Sequence, residues 1–196
     1  MVRGPLPAFL LTLPALFAAP AVQEPPSREP LSRAEAVNAA LERGVAFLLS
    51  TQNRDGSWGV DIEERSSAIH DLRDGSCALA VYTLLKCGLA ADHPAIQRAL
   101  AFLLENTPTR TYATGVQLHA LGALHDPAQK KRMQELLAIL LDLFGHGGWD
   151  YPGAGRPDLS NTQVAALGLR AAHAAGLSVP KATWGELVGQ IGRAHV

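Results

Sequence analysis

From Ser32 onward the chain consists of helix-length apolar blocks separated by Gly, Pro, Asp and Asn, and no block shows the sustained alternation of apolar and polar residues that marks a strand. The first block opens with the capping box Ser32-Arg-Ala-Glu35, and apolar residues follow it at helical spacing. This pattern predicts a helix from about Arg33 to Thr51. Six more helices are predicted, in chain order over 76–86, from 92–94, over 112–124, from 126–127 through 144, over 161–175 and from about 181. The predicted fold class is therefore all-α.

The predicted helices alternate in the polarity of their surfaces. The first and third are amphipathic, with charged residues such as Glu42 and Glu105 on their outer faces. The second, fourth and sixth are apolar or small almost all round, and a helix of that kind must be covered on every side. We therefore expect two layers, with the odd-numbered helices outside and the even-numbered helices inside.

Internal repetition supports this arrangement. The segment Ala46-Phe-Leu-Leu49 recurs at 101–104, Gly88-Leu89 recurs at 176–177, and Asp-Gly-Ser-Trp58 is echoed by Gly-Gly-Trp149. The last two spacings, 88 and 91 residues, indicate two units of roughly 45 residues each. Each unit would contain an outer helix, a loop and an inner helix.

Composition and charge narrow the class of protein. With 47% hydrophobic and 18% charged residues, the chain is not a disordered, collagen-like or coiled-coil protein. Its net charge is −1, and removal of a leader containing Arg3 makes it about −2. Because nucleic-acid binding depends on a basic surface, we expect no nucleic-acid partner.

The N-terminus has the features of an export signal. Residues 1–21 combine Arg3, an apolar run over 8–18 that is too short to span a bilayer, and small residues at the end that suit cleavage after Ala21. A buried N-terminal helix is the alternative, but four prolines would break it. A Pro-rich linker follows over 22–31. We expect an exported protein, in the periplasm, the cell envelope or outside the cell, with no membrane span once the leader is removed.

The helical-repeat region is predicted over 32–190. The six residues that follow it are predicted not to belong to the protein. Residues 191–196, Ile-Gly-Arg-Ala-His-Val, match one reading frame of a common sequencing adapter. We therefore expect a reading frame truncated during sequencing. A naturally short protein is the alternative.

Neither cysteine has the neighbours of a functional site. Cys77 and Cys87 are ten residues apart on one predicted helix, or about 15 Å, which is beyond disulfide reach. Neither has further Cys or His at the short spacing of zinc ligands. We expect packed thiols, no metal and no cofactor.

One loop carries the most specific motif in the chain, Arg43-Gly44-x-x-Phe47-Leu48-x-x-x-Gln52-x-x-x-Gly56-x-Trp58. It resembles the Gln-Trp repeat of the terpenoid cyclase and protein prenyltransferase superfamily. The segment from Gly148 through Tyr151, with 158–163 after it, is similar to exported bacterial proteins that carry squalene-cyclase-like repeats. In the intermediate repeat, Thr107 stands where Gln would be and no Trp follows.

These residues need no catalytic role. The Gln side chain can bond an exposed N–H at the start of the next inner helix or a nearby carbonyl, while the indole fastens the loop to the outer helix. Glycine permits a tight turn with positive φ. We assign structural roles to the residues of the two loop motifs: Gln52, Asp55, Gly56, Trp58, Gly148, Trp149 and Gln163.

The resemblance implies an α/α toroid, in which about six pairs of helices close around a central cavity. This chain would supply about three and a half pairs and form a partial toroid. The N-termini of the inner helices and their loops would line the cavity, and the polar or aromatic candidates there are Tyr82, Tyr112, Gln117, His119 and Asn161.

The resemblance leaves the activity open, because the sequence holds no catalytic motif of the family. Class II terpenoid cyclases protonate an alkene with an Asp-x-Asp-Asp acid, and the nearest acidic run here is Asp61-Ile-Glu-Glu64. The zinc of protein prenyltransferases is held by Asp, Cys and His, and Cys77 with Asp74 or His70 has a different spacing.

We expect a non-catalytic binding or structural module, whose partner is an apolar small molecule or another envelope protein. The alternative is the N-terminal half of a squalene-hopene-like cyclase or a related isoprenoid enzyme, whose catalytic half is missing. A generic helical-repeat solenoid is a third interpretation, and it predicts an open superhelix.

Overall fold

The computed structural model describes residues 32–59, 67–151 and 155–193. The predicted leader and linker, the acidic run over 61–64 and the last three residues lie outside the described residues. The described part holds seven α-helices and no β-strand, so the all-α prediction is confirmed. Their bounds are α1 Arg33–Ser50, α2 Ser67–Lys86, α3 Pro94–Glu105, α4 Thr111–Leu124, α5 Lys130–Asp142, α6 Leu159–Ala174 and α7 Lys181–Arg193. A short 3-10 turn, Pro127–Gln129, precedes α5.

Local capping explains where several helices begin. At α1 the Ser32 hydroxyl accepts from the Glu35 N–H at 3.3 Å, and the Glu35 carboxylate accepts from the Ser32 N–H at 2.8 Å, so the predicted capping box is confirmed. At α6 the carboxylate of Asp158 accepts from the Asn161 N–H at 2.9 Å. Each bond satisfies a backbone donor that has no partner inside its helix.

Helix α2 begins at Ser67, nine residues before the position predicted from the sequence. The residues before Ser76 are polar and include Gly75, and glycine inside a helix costs about 1 kcal/mol relative to alanine. In the structure a Cβ at Gly75 would lie only 3.0 Å from the ring of Tyr112 on α4. The glycine therefore allows α2 and α4 to pack closely, and this contact is invisible in the local sequence.

The even-numbered helices make the largest contacts in the fold. Helix α4 packs against α2 on one side and α6 on the other, while α3 lies on α2 and α5 lies on α4 and α6. The core contains buried residues of α2, α3, α4, α5 and α6, and Leu187 of α7 is also buried. Helix α1 contributes no buried residue, and its apolar Val37 and Leu41 are about half exposed, at 51% and 52%.

Glycine brings α4 and α6 into backbone contact. A Cβ at Gly168 would lie 2.9 Å from the Cα of Gly115, and a Cβ at Gly115 would lie 2.8 Å from the carbonyl oxygen of Val164. Real Cβ atoms do not approach other atoms this closely, so both positions require glycine at this helix separation. The small residues that make these helices apolar all round are thus explained by close packing.

Candidate functional site

The first loop motif, after α1, joins α1 to α3 through the Gln52 side chain. Its amide N–H group donates to the carbonyl oxygens of Gly56 at 3.0 Å and Ala95 at 2.8 Å, and its amide oxygen accepts from the guanidinium of Arg98 at 2.5 Å. The sequence predicts that this glutamine bonds either an exposed N–H of the next inner helix or a nearby carbonyl, and in the structure it bonds carbonyls. Both the carbonyl of Ala95 and the Arg98 side chain belong to α3, so the glutamine links one amphipathic helix to the next rather than to α2.

Trp58 attaches the same loop to α1. Its indole N–H donates to the carbonyl oxygen of Leu48 at 2.7 Å, and its side chain is buried, with the residue 5% exposed. Leu48 lies in the last turn of α1, where carbonyl groups have no partner within the helix. The indole therefore satisfies one of these carbonyls while it covers the helix end.

Glycine at position 56 is required for the loop to reach α3. Its φ is +91°, in the region that side chains disfavour. A Cβ there would lie 2.3 Å from the carbonyl oxygen of Arg98, so the loop backbone lies directly against α3.

Asp55 organises the polar side of this loop. Its carboxylate accepts from the N–H and the hydroxyl of Ser57, at 3.0 and 2.7 Å, and pairs with the guanidinium of Arg73 at 2.5 Å. The same guanidinium lies 5.3 Å from the ring centroid of Phe102, within cation–π range. Burial alone would raise the pKa of Asp55, but the Ser57 hydrogen bonds and the Arg73 charge together hold it below the usual value.

The loop after α5 repeats the tryptophan contact. The indole N–H of Trp149 donates to the carbonyl oxygen of Leu140 at 2.7 Å, and Trp149 is buried, with its ring 4.8 Å from that of Phe144. The Trp149 backbone N–H donates to the hydroxyl of Thr162 on α6 at 3.1 Å. A Cβ at Gly148 would lie 2.8 Å from the same hydroxyl, so this loop packs tightly on α6.

Gln163, the last of the predicted motif residues, has an exposed side chain on α6. Thr162, its neighbour, is buried and makes the contact with the Trp149 loop.

The middle repeat makes a similar contact with a different side chain. The amide of Gln117, on α4, donates to the carbonyl oxygen of Leu103 at 2.8 Å. Arg132 of α5 donates to the same carbonyl at 3.3 Å and also to the carbonyl of Asn106. Gln117 was expected to line a cavity, and it lies instead in the core, fully buried between α3 and α4. The absence of a tryptophan after α3 is thus compensated by an amide from an inner helix.

A short sequence pattern could have revealed these three equivalent carbonyls. Leu48, Leu103 and Leu140 are each the third residue of an Ala-x-Leu-Leu segment, at 46–49, 101–104 and 138–141. The third segment contains Ile where the others contain Phe, so it was not among the repeats identified from the sequence.

The remaining four cavity candidates divide between two separate depressions. The first, which we call the apolar pocket, has a volume of about 440 Å³ and lies at the N-terminal ends of α4 and α6. Tyr112 and Asn161 line it, together with Leu72, Leu143 and Tyr151.

The second depression, which we call the cationic cleft, has a volume of about 560 Å³ and lies at the C-terminal ends of α2, α4 and α6. Tyr82 and His119 line it, with their ring centroids 4.2 Å apart. Lys86, Lys130 and Arg170 complete its charged wall. Because α4 has 14 residues, about 20 Å of helix separates the two depressions.

The thiols occupy opposite environments. Cys77 is buried and its Sγ lies 3.8 Å from the carbonyl oxygen of Gly56, whereas Cys87 is exposed. Burial, reinforced by the charges of Asp74 and Asp55, raises the pKa of Cys77 to about 12. Both cysteines are free thiols. Cys77 is packed in the core as expected, whereas Cys87 is exposed at the surface.

Residues 32–59, 67–151 and 155–193 contain no group of three His, Cys, Asp or Glu side chains that could hold a metal ion. The same ranges contain no helix of the length and apolar character that a membrane span requires.

Comparison with known proteins assigns no family. No protein-family model, no curated protein and no solved structure matches the chain. The resemblance of the Gln52–Trp58 loop to the Gln-Trp repeat therefore stays a prediction.

Proposed function

We propose that this chain is a non-catalytic binding module of a helical-repeat protein and that it holds an apolar small molecule in the apolar pocket. The observation that carries the proposal is the convergence of large apolar side chains left in water. Leu72, Tyr112 and Tyr151 are 66%, 42% and 57% exposed, and all three line this one pocket. A ligand that covered them would remove apolar area from water at about 25 cal/mol per Å².

The pocket has the size and chemistry of a small-molecule site. Its volume of about 440 Å³ falls in the range that such ligands occupy. Its apolar lining is interrupted by a few polar groups, among them Thr111, Asp150 and Asn161. The Asn161 amide already donates to the Asp158 carboxylate at 3.3 Å, which fixes its orientation at the rim. Apolar walls with few oriented polar groups favour binding by shape.

We propose an α/α toroid as the architecture around this pocket. The packing of α4 between α2 and α6, with α3 on α2 and α5 on α4 and α6, supports alternating inner and outer layers. A ring would place the N-terminal ends of the inner helices, and hence the apolar pocket, around one mouth of the cavity. Small-angle scattering of the protein encoded by the complete reading frame tests this arrangement, since an open superhelix would give a markedly larger radius of gyration than a closed ring.

Binding can be tested with N-phenyl-1-naphthylamine, an uncharged dye whose fluorescence rises in apolar sites. We expect saturable binding by the 196-residue chain, and at least fivefold weaker binding after Leu72→Ser. Leu79→Ser is the matched control, because Leu79 is also an exposed leucine of α2, at 45%, but does not line the pocket. Equal loss in the two variants, or no saturation with the unmodified chain, would contradict the proposal.

A separate experiment distinguishes the module from the isoprenoid enzyme. A linear isoprenoid alcohol or squalene, incubated with the full-length protein and extracted, should be recovered unchanged. A cyclised product would replace the proposed function with the catalytic alternative.

We also propose that the module is exported, on the evidence of residues 1–21. Expression in a bacterium followed by mass spectrometry should give a mature chain that begins at Val22. Retention of residues 1–21 on a chain in the cytoplasmic fraction would contradict export.

A further inference from the structure

The cationic cleft gathers positive charge from three helices that are distant in sequence. Lys86 ends α2, Lys130 begins α5 and Arg170 lies in the last two turns of α6. All three side chains line the same depression, and all three residues are exposed. Folding therefore places three positive charges around one depression.

The carboxylate in this lining does not neutralise the three cations. Asp126 is the acidic residue of the cleft, and its two oxygens accept from the Ala128 N–H at 3.0 Å and the Gln129 amide at 3.2 Å. No ion pair joins Lys86, Lys130 or Arg170 to a carboxylate within the described ranges. Lys86 has an aromatic contact instead, with its Nζ 5.4 Å from the ring centroid of Tyr82.

His119, which lines the cleft, is half-buried. Burial lowers the pKa of this imidazole below its ordinary value, and the charges of Lys86 and Arg170 lower it further, against a backbone hydrogen bond at Leu167 that raises it. The imidazole Nδ1 is buried and has no hydrogen-bond partner among the described residues.

Helix dipoles stabilise some of these cations but not all of them. The C-terminal ends of α2, α4 and α6 carry partial negative charge, which stabilises Lys86 in the last turn of α2. Lys130 has the opposite placement, because it is the first residue of α5, where the dipole disfavours a cation. Its neighbour Arg132 bonds the carbonyl of Leu103, whereas Lys130 makes no such bond within the described part of the chain.

From this geometry we propose that the cationic cleft binds a small polyvalent anion that carries phosphate or carboxylate groups. An anion of two or more charges would bridge Lys86, Lys130 and Arg170 and so neutralise charges that the fold leaves unpaired. The volume of about 560 Å³ suits a small organic anion rather than a polymer. The site is separate from the apolar pocket and does not depend on it.

Calorimetric titration of the full 196-residue chain with pyrophosphate and with citrate, at constant ionic strength, tests the proposal. We expect saturable 1:1 binding of at least one of the two anions, and the preferred one identifies phosphate or carboxylate chemistry. Acetate, with one charge, should bind at least tenfold more weakly. Each of the substitutions Lys130→Gln and Arg170→Gln should weaken binding about tenfold, since each removes a charge-assisted hydrogen bond.

Lys131→Gln is the matched control, because Lys131 is exposed next to Lys130 on α5 but does not line the cleft. It should change the affinity less than twofold. Circular dichroism and the melting temperature show whether each variant is folded, and all three substituted residues are exposed. Failure of both anions to saturate the folded chain would overturn the proposal, as would an equal loss with Lys131→Gln, which would indicate general surface charge.

Discussion

The substitution Trp149→Phe tests whether the indole of the second loop stabilises the fold through its hydrogen bond. The carbonyl of Leu140 accepts the indole N–H at 2.7 Å. The backbone N–H that would normally bond this carbonyl, from Phe144, donates to Leu141 instead at 3.2 Å. Because Leu140 is fully buried, loss of the indole leaves its carbonyl without a partner.

The expected cost has two parts. An unsatisfied buried carbonyl costs about 1–3 kcal/mol, and the smaller ring loses roughly 1 kcal/mol of apolar burial. Trp149→Phe should therefore lower the free energy of unfolding by about 2–4 kcal/mol. Trp58→Phe should cost less, about 1–2 kcal/mol, because the carbonyl of Leu48 also accepts from the N–H and the hydroxyl of Thr51, both at 3.3 Å.

Urea unfolding followed by circular dichroism at 222 nm measures both effects, since the helical signal does not depend on which tryptophan remains. Trp184→Phe is the control, because its half-buried indole makes no hydrogen bond to another described residue. It should cost about 1 kcal/mol or less. A Trp149→Phe variant within 0.5 kcal/mol of the unmodified protein (about the limit of resolution), or one more stable than Trp58→Phe, would refute the hydrogen-bond argument.

Three further substitutions or treatments test other parts of the structure. Gly168→Ala should lower the free energy of unfolding by about 1–3 kcal/mol through overpacking against the α4 backbone, whereas Gly185→Ala, with nothing within 4 Å of its Cβ, should be neutral or stabilising in the same urea assay. Iodoacetamide at pH 8 should label Cys87 alone in the folded protein and Cys77 as well in denaturant, since burial raises the Cys77 pKa to about 12; rapid double labelling of the folded chain would contradict this. Asp55→Asn should destabilise the protein more at neutral pH than at pH 3, because a depressed folded-state pKa contributes stability above the unfolded pKa that is lost as the pH falls through the folded value; unfolding curves at both pH values decide, and a pH-independent difference would exclude the charge.

The sequence predicts those features that depend on neighbouring residues. The capping box at Ser32 and Glu35 requires only residues three positions apart, and it is present with both bonds. The contact of Trp58 with α1 is also local, because its indole N–H donates to a carbonyl only ten residues earlier in the chain. These contacts join residues that are close in the sequence, so they can be predicted without the tertiary structure.

Other features depend on contacts between distant segments. The close packing of Gly75, within α2, on the ring of Tyr112 joins positions 37 residues apart. The cavity residues were expected to share one site, but Tyr82 and His119 lie at one end of the inner helices and Tyr112 and Asn161 at the other. The sequence shows which end of a helix a residue occupies. It does not show that three cations from α2, α5 and α6 line one cleft, because that depends on how the helices pack.

The three Ala-x-Leu-Leu segments show which part of the repeat is essential. The acceptor is the same in each, a carbonyl in the last turn of α1, α3 or α5, while the donor is the indole of Trp58, the amide of Gln117 or the indole of Trp149. A carbonyl at a helix end that is shielded from water needs a hydrogen-bond donor, so some N–H group must reach it. Tryptophan satisfies that need from the loop, and glutamine satisfies it from the next inner helix. The Trp of the motif is therefore one solution to a hydrogen-bonding requirement of the layered helices, which explains how the middle repeat keeps its packing without it.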